Sequence, residues 1–335
     1  MFVLLLLPLP FTLLVCALVG MCGFEAGDAC VDKAYRVLYV RLPNVIRSIL
    51  LRFCGSWSVT AYDRTNAYLF NSNNCIVQVV YVMSVGGGYS GFIWWVYPMI
   101  DNDPMVSSIH KLLTFVGCGG CFYAFYKTST LDPGTITAAT VDAAVDLYDY
   151  DGVLYSERTC RTCQFQKPAR SKHCRLCDRC VGRFDHHCIW VANCIGHGNY
   201  RWFLAFVAGN LVFLLHDALI ITALLLRTVI RSELRSAVFV DRATGDRQAA
   251  TTWLIVTYIL HSFKGPVLLL FVCCTFVLVL SGFLLFHMYL CIWANETTNE
   301  FGRWREIGTK NIYQRGFLKN IQEVMHPPAL HVKRG

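Results

Sequence analysis

One segment of the chain is unusually dense in residues that bind metal ions. Between Cys160 and Phe203 the sequence holds seven cysteines and four histidines. Zinc takes thiolate sulfur and imidazole nitrogen at such short spacings, and two closed tetrahedral sites need eight ligands. Six cysteines and two histidines would fill both sites, which leaves one cysteine over. A segment with almost no hydrophobic core would then be held in one shape by metal.

The most obvious surplus cysteine is Cys188, because it directly follows Asp185, His186 and His187. A thiol beside a histidine, with a carboxylate that orients the histidine, is the arrangement of an activated cysteine nucleophile. His186 can take the thiol proton and Asp185 can hold the imidazole in the right tautomer, provided that His187 is kept by zinc. We therefore predict a zinc-stabilised module that presents a reactive cysteine.

The segment also carries a longer pattern of fixed positions. They are Cys160, Cys163, Lys167, Pro168, Arg170, His173, Cys174, Cys177, Cys180, Asp185, His186, His187, Cys188, Cys194, Asn199 and Phe203. In this pattern the chain resembles the cysteine-rich domain of the DHHC protein S-acyltransferases, or palmitoyltransferases. Three shorter matches flank it: Asp132-Pro133-Gly134, the TTxE-like Thr297–Glu300, and a looser tail pattern from Asn311 to Val324. The resemblance covers about residues 76–324 and leaves 1–75 outside.

The resemblance implies an interleaved zinc pairing, which spacing alone leaves open. One zinc would be held by Cys160, Cys163, His173 and Cys180, and the other by Cys174, Cys177, His187 and Cys194. Both sites are closed and therefore structural, since catalytic zinc keeps an open position. Thr297, Thr298, Glu300 and Asn320 are expected to support the reactive loop.

The whole chain has the composition of a membrane protein. It is 55% hydrophobic and only 16% charged, whereas soluble domains carry about 25% charged residues. The formal net charge of +8 suits nucleic acid or an anionic membrane surface, and the long apolar runs favour the membrane. We therefore expect the lipid bilayer as a partner and no nucleic acid.

The apolar runs predict an all-α polytopic membrane protein. Four core spans are expected at about 76–97, 109–126, 202–226 and 266–292. A further uncharged run, Phe2–Cys22, is read as an extra N-terminal span; as a signal peptide it would lack a basic start and its core would be too long. The small cysteine-rich domain is placed in the cytosol, where thiols stay reduced. With that topology, the sequon at Asn295 stays unglycosylated.

These readings divide the chain into seven parts. They are an N-terminal transmembrane helix (1–22), a cytosolic basic or amphipathic segment (23–75), the first two core spans with the DPG turn (76–134), an acidic linker (135–156), the cysteine-rich zinc domain (157–201), the last two core spans (202–293) and a cytosolic tail (294–335). A basic amphipathic helix on the membrane surface and a plain cytosolic segment are equally good readings of 23–75.

Polar groups inside the spans allow two interpretations each. His216 and Asp217 lie at membrane depth, where ionisable groups are functional candidates, although a polar contact in the lumenal half of the bundle is the stronger reading. Cys118-Gly119-Gly120-Cys121 is a possible redox pair, but small residues where helices pack closely are favoured.

The predicted activity is transfer of a long-chain acyl group from acyl-CoA, through acyl-Cys188, to cysteines of membrane-associated proteins in a ping-pong reaction. Cationic candidates for the CoA phosphates, or for anionic headgroups, are Lys167, Arg170, Lys172 and Arg183. The expected location is an endomembrane: Golgi, endoplasmic reticulum or plasma membrane. The alternative is a membrane-anchored zinc-finger scaffold or adaptor without catalysis, in which every cysteine of the module would be a ligand.

Overall fold

The computed structural model describes residues 41–72, 74–240 and 245–328. The predicted N-terminal span, 1–22, lies outside the described residues. The described part divides into two compact units, one holding 41–81, 123–208 and 281–328, the other Val82–Phe122 and Gly209–Leu280. Each unit is described by itself.

The elements follow one another along the chain as short and long helices with three small sheets between them. They are α1 (Leu42–Cys54), α2 (Ser56–Asn71), α3 (Ile76–Trp95), α4 (Tyr97–Asp101), α5 (Ile109–Thr130), β1 (Thr135–Ile136), α6 (Val141–Val145), β2 (Lys172–Cys174), β3 (Arg179–Val181), β4 (His186–Cys188), β5 (Asn193–Ile195), α7 (Tyr200–Arg231), β6 (Val238–Val240), β7 (Arg247–Ala249), α8 (Thr252–Ser262), α9 (Lys264–Met288), a π-helical segment (Tyr289–Ala294), α10 (Arg303–Ile307) and α11 (Phe317–Met325).

Within the part of the chain that the structure describes, three stretches of helix are long and apolar enough to cross a membrane. They are Ile76–Asp101, Tyr200–Arg231 and Lys264–Ala294, and they correspond to the first, third and fourth predicted core spans. The second predicted span forms α5, whose 22 residues reach about 33 Å at 1.5 Å per residue. α5 carries His110, Lys111 and Lys127. Its composition is not apolar enough for it to count among the candidate spans. The structure therefore shows a mostly helical membrane protein with three candidate spans.

Helices α1 and α2 form a hairpin in the segment predicted to be cytosolic. Gly55 joins them with φ +81°, in the left-handed region that glycine adopts without strain. Across the turn the Ser58 hydroxyl donates to the Leu50 carbonyl at 3.1 Å, and Arg47 pairs with Asp63 at 2.8 Å. A row of apolar side chains on α1 stays exposed, so this helix is amphipathic, as one of the two readings of this segment expects: Val45, Ile49 and Phe53.

The second unit has an apolar core that involves α3, α4 and α7. Its buried members are Phe92, Val96, Ile100, Ile220, Ile221, Leu224 and Leu225. A Cβ at Gly265 would lie 2.3 Å from the Trp95 indole, so only glycine fits there. The expected close packing at Gly119 and Gly120 is wrong, because no atom of the described residues lies within 4 Å of a Cβ there. The close approach is at Gly117 instead, where a Cβ would lie 2.8 Å from the Phe213 ring.

The polar residues of α7 make contacts within the second unit. The Thr114 hydroxyl donates to Asp217 at 3.2 Å, and His216 donates from Nδ1 to the same carboxylate at 3.0 Å. The other nitrogen of His216 lies 3.2 Å from His110 Nδ1. These contacts agree with the interpretation of His216 and Asp217 as a polar helix contact.

Small antiparallel sheets build the cysteine-rich module in the first unit. β3 lies between β1 and β2, with Ile136 and His173 both opposite Cys180, and β4 pairs with β5 so that His187 lies opposite Cys194. β1 and α6 come from the segment predicted to be an acidic linker, and Ala144 of α6 packs in a buried cluster with Ile136, Cys160 and Cys180. The linker segment thus contributes structure to the module.

Candidate active site and metal centres

Cys160, Cys163, His173 and Cys180 bring their ligand atoms into one group. The Nδ1 atom of His173 lies 3.7, 3.4 and 3.8 Å from the three sulfurs in that order. Ligands of a tetrahedral zinc, at about 2.3 Å for sulfur and about 2.0 Å for nitrogen, stand about 3.6 Å apart. The donor set and its spacing therefore fit a zinc ion.

The second group has the same construction. Cys174, Cys177 and Cys194 place their sulfurs 3.7, 3.4 and 3.7 Å from His187 Nδ1. These are the two interleaved sets that the resemblance implies. The cause is visible in the hairpins: each one sets a histidine opposite a cysteine across the strands, and a Cys-x2-Cys turn from elsewhere supplies the other two sulfurs.

The ring of one histidine ligand is also held at the nitrogen that does not face the metal site. The Nε2 atom of His173 lies 3.3 Å from a carboxylate oxygen of Asp178. A carboxylate at the far nitrogen of a ligating imidazole sets the tautomer and the ring orientation. Asp178 therefore leaves Nδ1 of His173 free to bind a metal ion.

Cys188 belongs to neither group among the described residues. It ends strand β4 opposite Asn193 and is 7% exposed. The Cys188 thiol is close enough to the His186 imidazole to help raise its pKa, and His186 Nδ1 donates to Asp185 Oδ2 at 2.6 Å. The structure thus assembles the three residues predicted to be catalytic in the order thiol, imidazole, carboxylate.

The electrostatics of this chain of groups favour charge separation. Burial by itself would lower the pKa of His186, but the hydrogen bonds to Asp185 and Cys188 and the negative charge of Asp185 raise this pKa to about 10. Burial would raise the pKa of Asp185, but the hydrogen bond and charge of His186 lower it to about 2. The carboxylate of Asp185 therefore stabilises the imidazolium that forms when His186 takes a proton from the thiol.

Thr297 and Thr298 behave differently although they are adjacent. The Thr298 backbone N–H donates to Asp185 Oδ1 at 2.8 Å, and its hydroxyl donates to the Asp185 carbonyl at 2.9 Å. Thr297 donates its N–H to Glu300 at 2.9 Å, while its buried hydroxyl has no partner among the described residues. Only the second threonine of the pair therefore orients Asp185.

Arg170 pairs with Glu300 in the interior, which corrects its assignment to CoA phosphates. Arg170 Nε donates to Oε1 at 2.9 Å and Nη2 to Oε2 at 2.7 Å. Both side chains are 0% exposed, and the rings of Tyr148 and Tyr313 lie 5.1 and 4.7 Å from the guanidinium. A guanidinium enclosed in this way is not available to a phosphate.

Arg183 is also removed from the phosphate candidates. It is buried, its Nε lies 3.2 Å from Glu323, and its Nη2 donates to the Asn295 side chain at 3.2 Å. Asn320 completes this network, because its amide donates to the Ile292 carbonyl at 2.7 Å and its oxygen accepts from Asn295 at 3.3 Å. The arginines therefore connect the module to the C-terminal tail.

Sequence reasoning treated Asn295 only as a sequon, whereas it is a central residue of this network. It is buried, with φ +46° at the end of the π-helical segment. Its side chain accepts from Arg170 and donates to the Tyr313 carbonyl at 2.7 Å. Glu323 was not predicted either, because no local sequence pattern indicates a partner that lies so far away along the chain.

The two lysine candidates remain accessible. Lys172 is exposed and donates to the Asn299 side chain at 2.7 Å. Lys167 is half-buried, and its carbonyl accepts from the Tyr150 hydroxyl at 2.9 Å. Of the four cationic candidates, these two keep ammonium groups that could meet an anion.

The Asp132-Pro133-Gly134 turn is packed against the loop after β5. A Cβ at Gly198 would lie 2.3 Å from the Asp132 carbonyl oxygen, so a larger residue would separate the two loops. Asn193 donates its amide to the carbonyls of Thr128 and Leu131 at 3.2 and 3.0 Å. The end of α5 is thereby capped by the strand that pairs with Cys188.

A further histidine near the reactive group was not singled out from the sequence. His287, near the end of α9, is 1% exposed, and its Nδ1 lies 3.0 Å from the Tyr200 hydroxyl. Aromatic rings surround it: Tyr200, Phe203, Phe283 and Phe286. Its ring centroid is 6.2 Å from that of His186. The sequence feature that could have identified His287 is its position as a single histidine within an apolar run.

A thiol joined to a histidine–carboxylate pair, on a scaffold of two metal-binding groups in a chain with candidate membrane spans, is the chemistry of a membrane-bound transferase that works through a cysteine. Comparison with known proteins identifies the class more closely. The family model described as DHHC palmitoyltransferase matches residues 154–305. The chain belongs to the DHHC palmitoyltransferase family.

Relatives that match two thirds or more of this chain are also named palmitoyltransferases. Mouse Palmitoyltransferase ZDHHC4 (Mus musculus) is 36% identical over 243 residues, covering 67% of this chain and 70% of the mouse protein. The bovine protein of the same name (Bos taurus) is 31% identical over 285 residues, covering 80% and 82%. Palmitoyltransferase swf1 of Schizosaccharomyces pombe is 29% identical over 282 residues, covering 83% and 72%.

Proposed function

We propose that this enzyme moves a long-chain fatty acyl group from acyl-CoA to cysteines of membrane-associated proteins, through an acyl group carried on Cys188. The observation that carries the proposal is the environment of Cys188. It is the one cysteine of the module outside both ligand groups, and it lies near the His186 imidazole, whose Nδ1 donates to Asp185 at 2.6 Å.

Each half of the reaction follows from this arrangement. His186 takes the thiol proton, and the Cys188 sulfur attacks the carbonyl carbon of the acyl-CoA thioester. The carbonyl electron pair moves to oxygen, then returns as the bond to the CoA sulfur breaks, and His186 returns the proton to the leaving thiolate. The second half repeats these steps with a substrate cysteine. One thioester replaces another, so no further energy source is needed.

The two ligand groups have a supporting role. Each would hold one Zn²⁺ through three thiolates and one imidazole, and the bound ions would fix the fold without taking part in the transfer. The residues around them then do the chemical work: Thr298 and Asp185 fix the position of the His186 imidazole. The hairpin that carries His187 also carries Cys188, so folding around the metal sets the thiol in place.

The membrane arrangement is part of the proposal. We infer a four-span core in which α5 is the second span, an additional span at Phe2–Cys22, and a cytosolic cysteine-rich domain within an endomembrane: Golgi, endoplasmic reticulum or plasma membrane. The domain boundaries proposed from the sequence are kept, except that residues 135–145 of the linker are included in the cysteine-rich domain, because they pack in its core. Lys167 and Lys172 are proposed to meet the CoA phosphates, while the acyl chain partitions into the apolar region at about 0.8 kcal/mol per methylene.

Substitution of Cys188 by serine tests the proposal. Purified Cys188→Ser is expected to show no hydroxylamine-sensitive acylation with palmitoyl-CoA, because the thioester bond needs a thiol. The zinc content should stay at the wild-type value, since Cys188 is in neither ligand group. A cysteine of the same hairpin region, Cys194→Ser, is the matched control and should lose zinc. Acylation of Cys188→Ser above a no-enzyme blank contradicts the assignment.

A further inference from the structure

His287 carries a polar atom that its surroundings leave unsatisfied. Its Nε2 is buried and has no hydrogen-bond partner among the described residues. A buried polar atom without a partner is costly, and such atoms in native proteins call for an explanation. The neighbours are aromatic rings, and within the described part of the chain only Nδ1 of the two ring nitrogens is satisfied, by the Tyr200 hydroxyl.

The hydrogen-bonding pattern indicates which tautomer is present. The Tyr200 hydroxyl has one proton, and its hydrogen-bond partner among the described residues is His287 Nδ1, at 3.0 Å. A hydroxyl that donates to Nδ1 leaves the hydrogen of the neutral imidazole on Nε2. The unsatisfied atom is therefore an N–H donor.

This donor lies beside the reactive group. The Phe203 ring contacts both imidazoles, with centroids 5.2 Å from His186 and 5.0 Å from His287. The His186 imidazole lies near the Cys188 side chain, and His287 is close enough to Asp185 to act on its protonation. The imidazole with the free N–H and the imidazole that handles the thiol proton thus pack against the same Phe203 ring.

We propose that His287 Nε2–H donates a hydrogen bond to the carbonyl oxygen of the acyl group on Cys188. The proposal rests on the proposed function, because it needs an acyl thioester at Cys188. As a sulfur attacks the carbonyl carbon, the electron pair of the C=O bond collects on oxygen, and a fixed donor stabilises that charge. The same donor serves both halves of the transfer, since the oxyanion forms twice at one place.

Three substitutions of His287 test this role. Gln places its side-chain nitrogen as many bonds from the backbone as His Nε2, whereas Asn places it as far as Nδ1. We expect His287→Gln to keep the rate of Cys188 acylation within about 10-fold, and His287→Asn and His287→Phe to lower it about 100-fold, the usual loss when one such donor is removed. KM for palmitoyl-CoA should stay unchanged.

Two further measurements separate this role from a structural one. His287→Phe should keep full zinc content and melt near the wild-type temperature, because it removes one unsatisfied polar atom and leaves the buried Tyr200 hydroxyl without its partner. In the infrared, a ¹³C-labelled acyl carbonyl on Cys188 should absorb at a higher wavenumber in His287→Phe than in wild type, because the hydrogen bond is lost. Leu285→Val, an exposed position on the same helix, is the control and should match wild type throughout.

The proposal is overturned if His287→Phe acylates at the wild-type rate, if Gln and Asn are equally slow together with a lower melting temperature, or if the carbonyl band does not move. These outcomes differ from failure of the proposed function itself. In that case Cys188→Ser still becomes acylated and no labelled carbonyl is found at Cys188 in any variant.

Discussion

The hydroxyl of Thr298 lies 3.1 Å from one carboxylate oxygen of Asp185, and the Thr298 backbone N–H donates to the other oxygen at 2.8 Å. These residues are 113 positions apart in sequence. Asp185 is therefore held on one side by the C-terminal tail and on the other by His186. The orientation of the imidazole beside Cys188 depends on the tail as well as on the module.

The adjacent threonines should respond differently to the same substitution. Thr298→Val removes the hydroxyl contacts with Asp185 and should slow Cys188 acylation about 10-fold, since hydrogen bonds to charged groups contribute about 1.5–3 kcal/mol. Thr297→Val removes a buried hydroxyl without a partner among the described residues and should leave the rate unchanged. Single-turnover acylation with labelled palmitoyl-CoA measures both, and Thr298→Ser should restore the rate. A slower Thr297→Val than Thr298→Val would contradict this reading.

The two neighbouring histidines should separate catalysis from metal binding. His186→Ala is expected to keep both zinc ions and to lower the acylation rate by roughly 10²–10⁴-fold, the range for loss of a general base. His187→Ala removes a ligand and should lose about one zinc per chain and destabilise the module. Metal analysis and thermal unfolding measure these effects. Zinc loss in His186→Ala with full zinc content in His187→Ala would refute the assignment of catalysis to His186 and metal binding to His187.

The buried pair of Arg170 and Glu300 should be needed for folding. Arg170→Met leaves Glu300 buried without its cation, and breaking a buried ion pair in this way costs about 3–5 kcal/mol. Lys172→Met, two positions away but exposed, is the control and should change stability by less than about 0.5 kcal/mol. Thermal unfolding in detergent compares them.

A double variant makes the test sharper. Adding Glu300→Gln to Arg170→Met removes the uncompensated charge, so the pair should be less destabilised than the two single variants together. If the losses of unfolding free energy in the two single variants add up to the loss in the double variant, these side chains are not directly coupled.

The topology proposed here can be tested in sealed microsomes. A tag before Phe2 should be protected from protease, because the additional span puts the N-terminus in the lumen. A tag in the exposed Gly55 turn between α1 and α2 should be digested. Asn295 should stay unglycosylated, and its burial in the folded chain gives an independent reason. Digestion of the first tag would leave a four-span protein without the N-terminal span.

Several features of this protein were determined by the sequence alone. Spacing and side-chain chemistry over a short segment predict a module with two zinc sites and one cysteine left over, since metal ligands must come from residues of fixed type at short separation. Long apolar runs likewise predict the helices of the membrane part, because crossing the bilayer needs about twenty apolar residues in a row. The helix Tyr200–Arg231 begins two residues before and ends five residues after the expected span 202–226, and the stretch Lys264–Ala294 exceeds the expected span 266–292 by two residues at each end.

Only the tertiary structure decided what the buried charges do. From the sequence, Arg170 and Arg183 read as phosphate contacts, because a basic residue near a reactive centre gives no local sign of its partner. Their partners Glu300 and Glu323 lie more than a hundred residues away, and only folding brings them together. The role of His287 also depends on the tertiary structure. It is a single histidine in an apolar run, and its contacts with Tyr200 and Phe203, which are far from it in sequence, are made only in the folded chain.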